Sequence, residues 1–119
     1  MRWIKPSNSN DRGQAAENAA KGYLQQQGLV HHCSNFHCRF GEIDLVMRDQ
    51  QEWVFVEVKY RSNTRHGCAV EFFHTAKRKK FTLAVEHFMH QHHLNPASVP
   101  HRIDLVAIDD DHVQWFKSV

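Results

Sequence analysis

Three residues are of the types, and at the spacing, that could do chemistry: Asp44 in the run GEIDLV, and Glu57 and Lys59 in the run FVEVK. Side chains alternate along a β-strand, so Phe55, Glu57 and Lys59 should share one face, with Val54, Val56 and Val58 on the other. By the same rule Glu42, Asp44 and Val46 should share a face opposite Ile43, Leu45 and Met47. A symmetric turn centred on Gln50-Gln51 then sets Asp44 opposite Glu57, with Cβ atoms roughly 5 Å apart. Two like charges facing each other on apolar strands repel, and burial adds a desolvation cost. A divalent cation between them removes the repulsion. Two carboxylates, water and a backbone carbonyl suit Mg²⁺ or Mn²⁺, hard cations that prefer oxygen. Lys59 would orient an attacking water and offset charge growing on a phosphate. This is the equipment of metal-assisted phosphodiester hydrolysis. The plainer alternative is an exposed Glu57–Lys59 ion pair with Asp44 a solvated neighbour, worth little to stability. The apolar opposite faces of both strands, and a third acid that a helix could deliver, weigh against it.

The elements that must position these groups are legible along the chain. Met1 to Asn10 is polar and reads as an irregular lead-in. Asp11 to Gln27 is rich in helix formers, with Asn10 or Asp11 as N-cap and Gly28 as a stop. Ala16, Ala19, Ala20, Tyr23 and Leu24 make a narrow apolar stripe, and its small alanines suit close packing on a sheet. Glu17 and Lys21 form an i,i+4 pair beside it. Leu29 to Arg39 reads as a weakly patterned strand, and Glu42–Arg48 and Trp53–Tyr60 as clear ones. Thr75 is placed to cap a helix from Ala76 to about His93, with Phe81, Ala84, Val85, Phe88 and Met89 on one face. Arg102–Ile108 and Val113–Phe116 read as two last strands about the Asp109-Asp110-Asp111 turn. The order is α-β-β-β-α-β-β, a single α/β domain over residues 1–119.

Length and composition bound the rest. The 119 residues suit one contiguous core, and 41% hydrophobic with 24% charged residues is a globular composition. A net charge of +2 does not by itself announce a nucleic-acid partner. Three cysteines are no disulfide scaffold; reduced thiols in a cytoplasmic protein are the simplest reading, and Cys68 reads as a structural thiol. No apolar run is long enough to span a bilayer, and the N-terminus has no apolar core of a secretory signal. The segment HHCSNFHC holds zinc-ligand residue types at a spacing that matches no common zinc pattern. His87, His90, His92 and His93 crowd the end of the second helix without an HExxH motif. Trp53, Trp115 and Phe116 read as core or sheet-edge residues, and Tyr60 as packing.

The runs GQAAENAAKGYLQQQG, RFGEIDLV, WVFVEVKYRS, a lysine-bearing helix and RIDLVAID together resemble the YraN-like family of predicted endonucleases. The resemblance extends from Gly13 to Asp109. That family is similar to the PD-(D/E)xK nuclease superfamily and to archaeal Holliday-junction resolvases. The resemblance implies a restriction-endonuclease-like fold, a central mixed β-sheet flanked by helices. It implies metal ligation by Asp44, Glu57 and the Val58 carbonyl, with Glu17 joining directly or through water, and Lys59 as the catalytic lysine. It further implies a DNA substrate of branched or otherwise structured form. The residues themselves offer a phosphate track, Arg61 and Arg65 with Lys77 and Lys79 of a four-cation run at a helix start, the plainer alternative being a solvated helix face; Lys77 also stands at the position of a lysine the family carries. Two symmetric nicks in a junction need two sites, hence a homodimer, although no dimer patch stands out. Ile43 stands where the superfamily has proline before its aspartate. Phe72-Phe73 and the many histidines also depart from the pattern. Two other readings remain open: a non-catalytic nucleic-acid-binding module, and a protein-interaction domain whose acids are only structural.

Overall fold

A computed structural model of the chain describes residues 9–60, 76–109 and 112–119, with side chains from residue 13 onward. Five strands form one sheet in the order β1-β2-β3-β4-β5. They are β1 (Val30–Cys38), β2 (Gly41–Asp49), β3 (Glu52–Tyr60), β4 (His101–Ile108) and β5 (Val113–Phe116). Among the described strands only β3 and β4 run parallel. A parallel pair needs a crossover, and the second helix, α2 (Ala76–Gln91), lies in that connection. The first helix, α1 (Ser9–Gln26), precedes the sheet. The result is the expected α/β order with a mixed central sheet.

The two faces of the sheet bury different side chains. On one, Ala16, Ala19, Ala20 and Leu24 of α1 pack on Leu45, Met47, Val54, Val56, Val106 and Ile108. On the other, Phe81, Ala84, Val85, Phe88 and Met89 of α2 pack on Ile43, Val46, Trp53 and Phe55. Strand β3 is therefore covered on both sides, which is why it reads as a nearly unbroken apolar run. A fully buried side chain such as Leu24 or Phe88 contributes about 2 kcal/mol relative to exposure. Tyr60 joins the α1-facing cluster, away from Glu57.

Both helices stop in the same way. At the end of α1 the Gly28 N–H donates to the Gln25 carbonyl at 3.1 Å, and the Leu29 N–H to that of Leu24 at 3.1 Å. This is a Schellman cap, and Gly28 supplies the positive φ of 99° that it requires. At the end of α2, His93 holds the corresponding place with φ 57°, and the Leu94 N–H donates to the Met89 carbonyl at 2.8 Å.

Two expectations need correction. The polar lead-in does not run to Asn10, because α1 already begins at Ser9; neither Asn10 nor Asp11 is then the N-cap. Ser, Asn and Asp suit the first turn as well as the cap, since its N–H groups are unpaired and its dipole end is positive. The strict alternation expected of β2 also fails. Ile43 packs with Val46 on the α2 side, whereas Leu45 and Met47 face α1. Strand β1 takes a matching step: Cys33 and Phe36 both pack on the α2 side, and Asn35 between them has φ 54°. The β1–β2 register runs Ser34 to Leu45 and Phe36 to Ile43, with no rung between Asn35 and Asp44. A left-handed residue re-aims the strand locally, and asparagine tolerates that conformation better than most. Thr75, Cys68, Phe72, Phe73, Arg61 and Arg65 lie outside the described residues.

Candidate metal centre

The β2–β3 hairpin turns at Gln50-Gln51, with Gln50 at φ 57°, and its register is the one expected from the turn. The ladder runs from Asp49–Glu52 to Leu45–Val56 and stops there. Beyond that rung β2 is paired with β1 and β3 with β4. The next position on either side of this fork is Asp44 on β2 and Glu57 on β3.

Both acids are buried, Asp44 at 7% exposure and Glu57 at 6%. Oδ2 of Asp44 accepts a hydrogen bond from the Val58 main-chain N–H at 2.8 Å. In an extended strand the N–H and C=O of one residue point to the same side, so the Val58 carbonyl also faces the fork. Burial, the Asp44 charge and a hydrogen bond to Asp44 push the Glu57 carboxyl up to about 8. The two carboxylates disfavour each other's charge, so Glu57 is pushed toward its neutral form. Lys77 Nζ lies 3.6 Å from Glu57 Oε1, and the charges of Lys77 and Lys59 act against that rise. Lys59 is itself buried, on the face of β3 that carries Glu57.

Glu17 comes to the same place from α1. Burial, followed by the charge of Asp44, raises its carboxyl above the ordinary value, and a hydrogen bond from the Asn35 side chain opposes the rise. Among the described residues no group of three or more His, Cys, Asp or Glu side chains is gathered tightly enough to hold a metal ion. Glu17 thus stands within electrostatic reach of Asp44 without completing a three-carboxylate cluster. The donors at the fork are two carboxyl groups and a backbone carbonyl, all oxygen. That set fits a hard divalent ion completed by water.

A cavity of about 200 Å³ adjoins Glu57, walled by Gly41, Glu42, Lys77, Lys80 and Phe81. Lys79, expected beside Lys77 on a phosphate track, is exposed on the helix surface. Three residues were not anticipated here. Asn35 braces Glu17; an asparagine inside a strand was the available signal. Lys77, named for contact with nucleic acid, lies beside the buried Glu57 carboxylate. Lys80 ends the basic run Lys77-Arg78-Lys79-Lys80, from which the sequence singled out only Lys77 and Lys79.

The histidines have other uses. His92 stacks on Phe88 with ring centroids 3.9 Å apart, and His32 meets Trp53 edge-on at 4.9 Å. His87 lies against Phe36 and Phe40. Cys33 and Cys38 are free thiols, half-buried against the α2 side. Trp53 is core, and Trp115 and Phe116 are partly buried at the sheet edge, as expected.

At the hairpin end of the sheet lies a second polar centre. Asp104 is fully buried and accepts from Arg102 Nε at 3.1 and 3.2 Å, from Trp115 Nε1 at 2.9 Å and from the Ser118 N–H at 2.9 Å. Arg102 continues to Glu52 at 2.7 Å and Asp49 at 3.1 Å. This network ties the C-terminal segment and the hairpin to β4.

The described elements form an α/β core on a mixed five-stranded sheet, with two buried acids at a strand fork. The profile of the uncharacterised protein family UPF0102 matches residues 16–108. A UPF0102 protein of Shewanella sp. (strain ANA-3) is 47% identical over 103 residues, covering 87% of this chain and 93% of that protein. Another, from Shewanella sediminis, is 44% identical over 107 residues, covering 90% and 89%. One from Colwellia psychrerythraea is 41% identical over 118 residues, covering 96% and 92%. The chain belongs to the UPF0102 family, the YraN-like proteins of the resemblance drawn above. Among the described residues no helix is long and apolar enough to cross a membrane.

Proposed function

We propose that this protein is a metal-dependent endonuclease of the cytoplasm that hydrolyses phosphodiester bonds in DNA, with Mg²⁺ or Mn²⁺ as its cofactor. The observation that carries the reading is the buried Asp44–Glu57 pair at the β2–β3 fork, held by the Val58 amide and flanked by two lysines. A purely structural role explains this poorly. Two buried like charges are costly, and an amide or apolar pair would fill the same space at less cost.

Asp44, Glu57 and the Val58 carbonyl are the residues that would hold the cation, and Glu17 would act through water. When bound, such an ion supplies a nucleophile at neutral pH and charge stabilisation for phosphoryl oxygens. Lys59 orients the attacking water and stabilises negative charge as the phosphate becomes five-coordinate. Lys77, Lys79, Arg61 and Arg65 follow the DNA backbone. The substrate is branched or otherwise structured DNA, a reading that rests on the family resemblance. Paired cuts across a junction would call for two copies of the chain.

The test is a cleavage assay on linear, nicked, flapped and four-way-junction DNA with Mg²⁺ or Mn²⁺, run beside Asp44→Ala and Glu57→Ala. The expected result is cleavage that needs the ion and is lost in both variants. Binding that persists without the ion, with no cleavage of any substrate, would instead identify a non-catalytic nucleic-acid-binding module. Cleavage retained by Asp44→Ala would defeat the catalytic assignment.

A further inference from the structure

Lys77 stands on the first turn of α2, where a cation opposes the helix dipole and where no acidic residue offsets it. Its ammonium is instead set 3.6 Å from Glu57 Oε1. The two partners differ in exposure: the Glu57 side chain is 8% exposed and that of Lys77 38%. The lysine therefore reaches from the mouth of the cavity beside Glu57 toward a carboxylate at its floor. Lys80, one helical turn further on, lines the same cavity. Lysine has a long flexible stem and a compact charge with three rotatable donors, so its head can move several ångströms with little backbone change.

We infer that Lys77 is a two-position lysine, the counter-ion of the Asp44–Glu57 pair while the fork holds no cation and a phosphate ligand in the adjoining cavity once a divalent ion takes Glu57. This rests on the metal-binding reading above and adds to it. An ammonium beside Glu57 competes with any cation for the same carboxylate and repels it at short range. Once the ion holds Glu57, the Lys77 head can turn to a phosphodiester oxygen a short distance away. A phosphate that draws Lys77 outward in turn leaves Glu57 open to the ion. By linkage, ion and nucleic acid then favour each other's binding through this side chain.

The test uses the full chain and two probes, Mn²⁺ alone and a DNA duplex. Lys77→Met keeps the length of the stem and removes the charge; Lys77→Arg keeps the charge. By electron paramagnetic resonance titration without DNA, Lys77→Met should bind Mn²⁺ roughly three- to tenfold more tightly than wild type, and Lys77→Arg about as wild type. By fluorescence anisotropy across a salt series, Lys77→Met should bind the duplex more weakly, with a salt slope smaller by about one. Unchanged or weaker Mn²⁺ binding in Lys77→Met would overturn the counter-ion half. An unchanged salt slope would overturn the phosphate half. If wild type binds no Mn²⁺ at all, the metal reading fails first, and this inference with it.

Discussion

The main-chain N–H of Val58 donates to Oδ2 of Asp44 just beyond the last paired residues, Leu45 and Val56. A side-chain oxygen thus replaces the main-chain acceptor that a continued ladder would have supplied. The bond holds the carboxylate beside Glu57 and satisfies an amide that the fork would otherwise strand. Asp44→Asn keeps an acceptor for Val58 and removes the charge facing Glu57. It should raise the stability of the metal-free protein at pH 8.5 by on the order of 1 kcal/mol. Asp44→Ala loses the acceptor as well and should be less stable than Asp44→Asn by about 1 kcal/mol. Urea denaturation of the three proteins at fixed pH measures both differences.

Glu57 makes the metal-free fold sensitive to pH in a definite direction. Its carboxyl is raised from an ordinary value of 4.5 to about 8 in the folded protein. Between those limits the folded state keeps a proton that the unfolded chain has released, so stability falls as pH rises through this window. Glu17, raised by burial and by Asp44, acts with the same sign. His31 and His32 act oppositely: burial lowers their pKa, so they favour folding more as pH rises. The difference between wild type and Glu57→Gln isolates the Glu57 contribution. Denaturation at pH 5, 6.5 and 8.5 should show wild type losing stability relative to Glu57→Gln by up to a few kcal/mol. A pH-independent difference would mean that Glu57 titrates normally.

Arg102 and Asp104 should matter to the fold and not to the fork. Arg102→Ala removes the cation from a fully buried carboxylate and from Glu52 and Asp49. The expected cost is about 3–5 kcal/mol, because the acid left behind is buried and only partly compensated. Mn²⁺ affinity of the protein that remains folded should be unchanged. Chemical denaturation and metal titration on one preparation separate the two effects.

A glycine inside α1 and one just past its end give opposite expectations from the same substitution. Gly22 lies inside the helix, and a Cβ there meets nothing within 4 Å. Gly22→Ala should stabilise by about 0.5–1 kcal/mol, through a smaller entropy in the unfolded chain. At Gly28 a Cβ also meets nothing, but φ is +99°. Gly28→Ala should therefore cost about 1 kcal/mol or more from backbone strain alone. Thermal unfolding of both variants checks the signs.

By itself the sequence determined what depends on neighbours along the chain. The apolar period of Phe81, Ala84, Val85, Phe88 and Met89 named the buried face of α2. The turn at Gln50-Gln51 set the β2–β3 register, and with it the nearness of Asp44 and Glu57. Short-range sterics and the two-residue repeat of a strand suffice for that. Tertiary structure alone decided where regularity ends. The ladder stops before Asp44, Ile43 turns to the α2 side, and Asn35 takes a left-handed conformation opposite the fork. It also brought Lys77 to Glu57, and Arg102 to Asp49 and Glu52, across long stretches of chain. These pairings are fixed by how the described helices and strands share a core. Which long side chain reaches which buried charge depends on that packing, and no local pattern carries it.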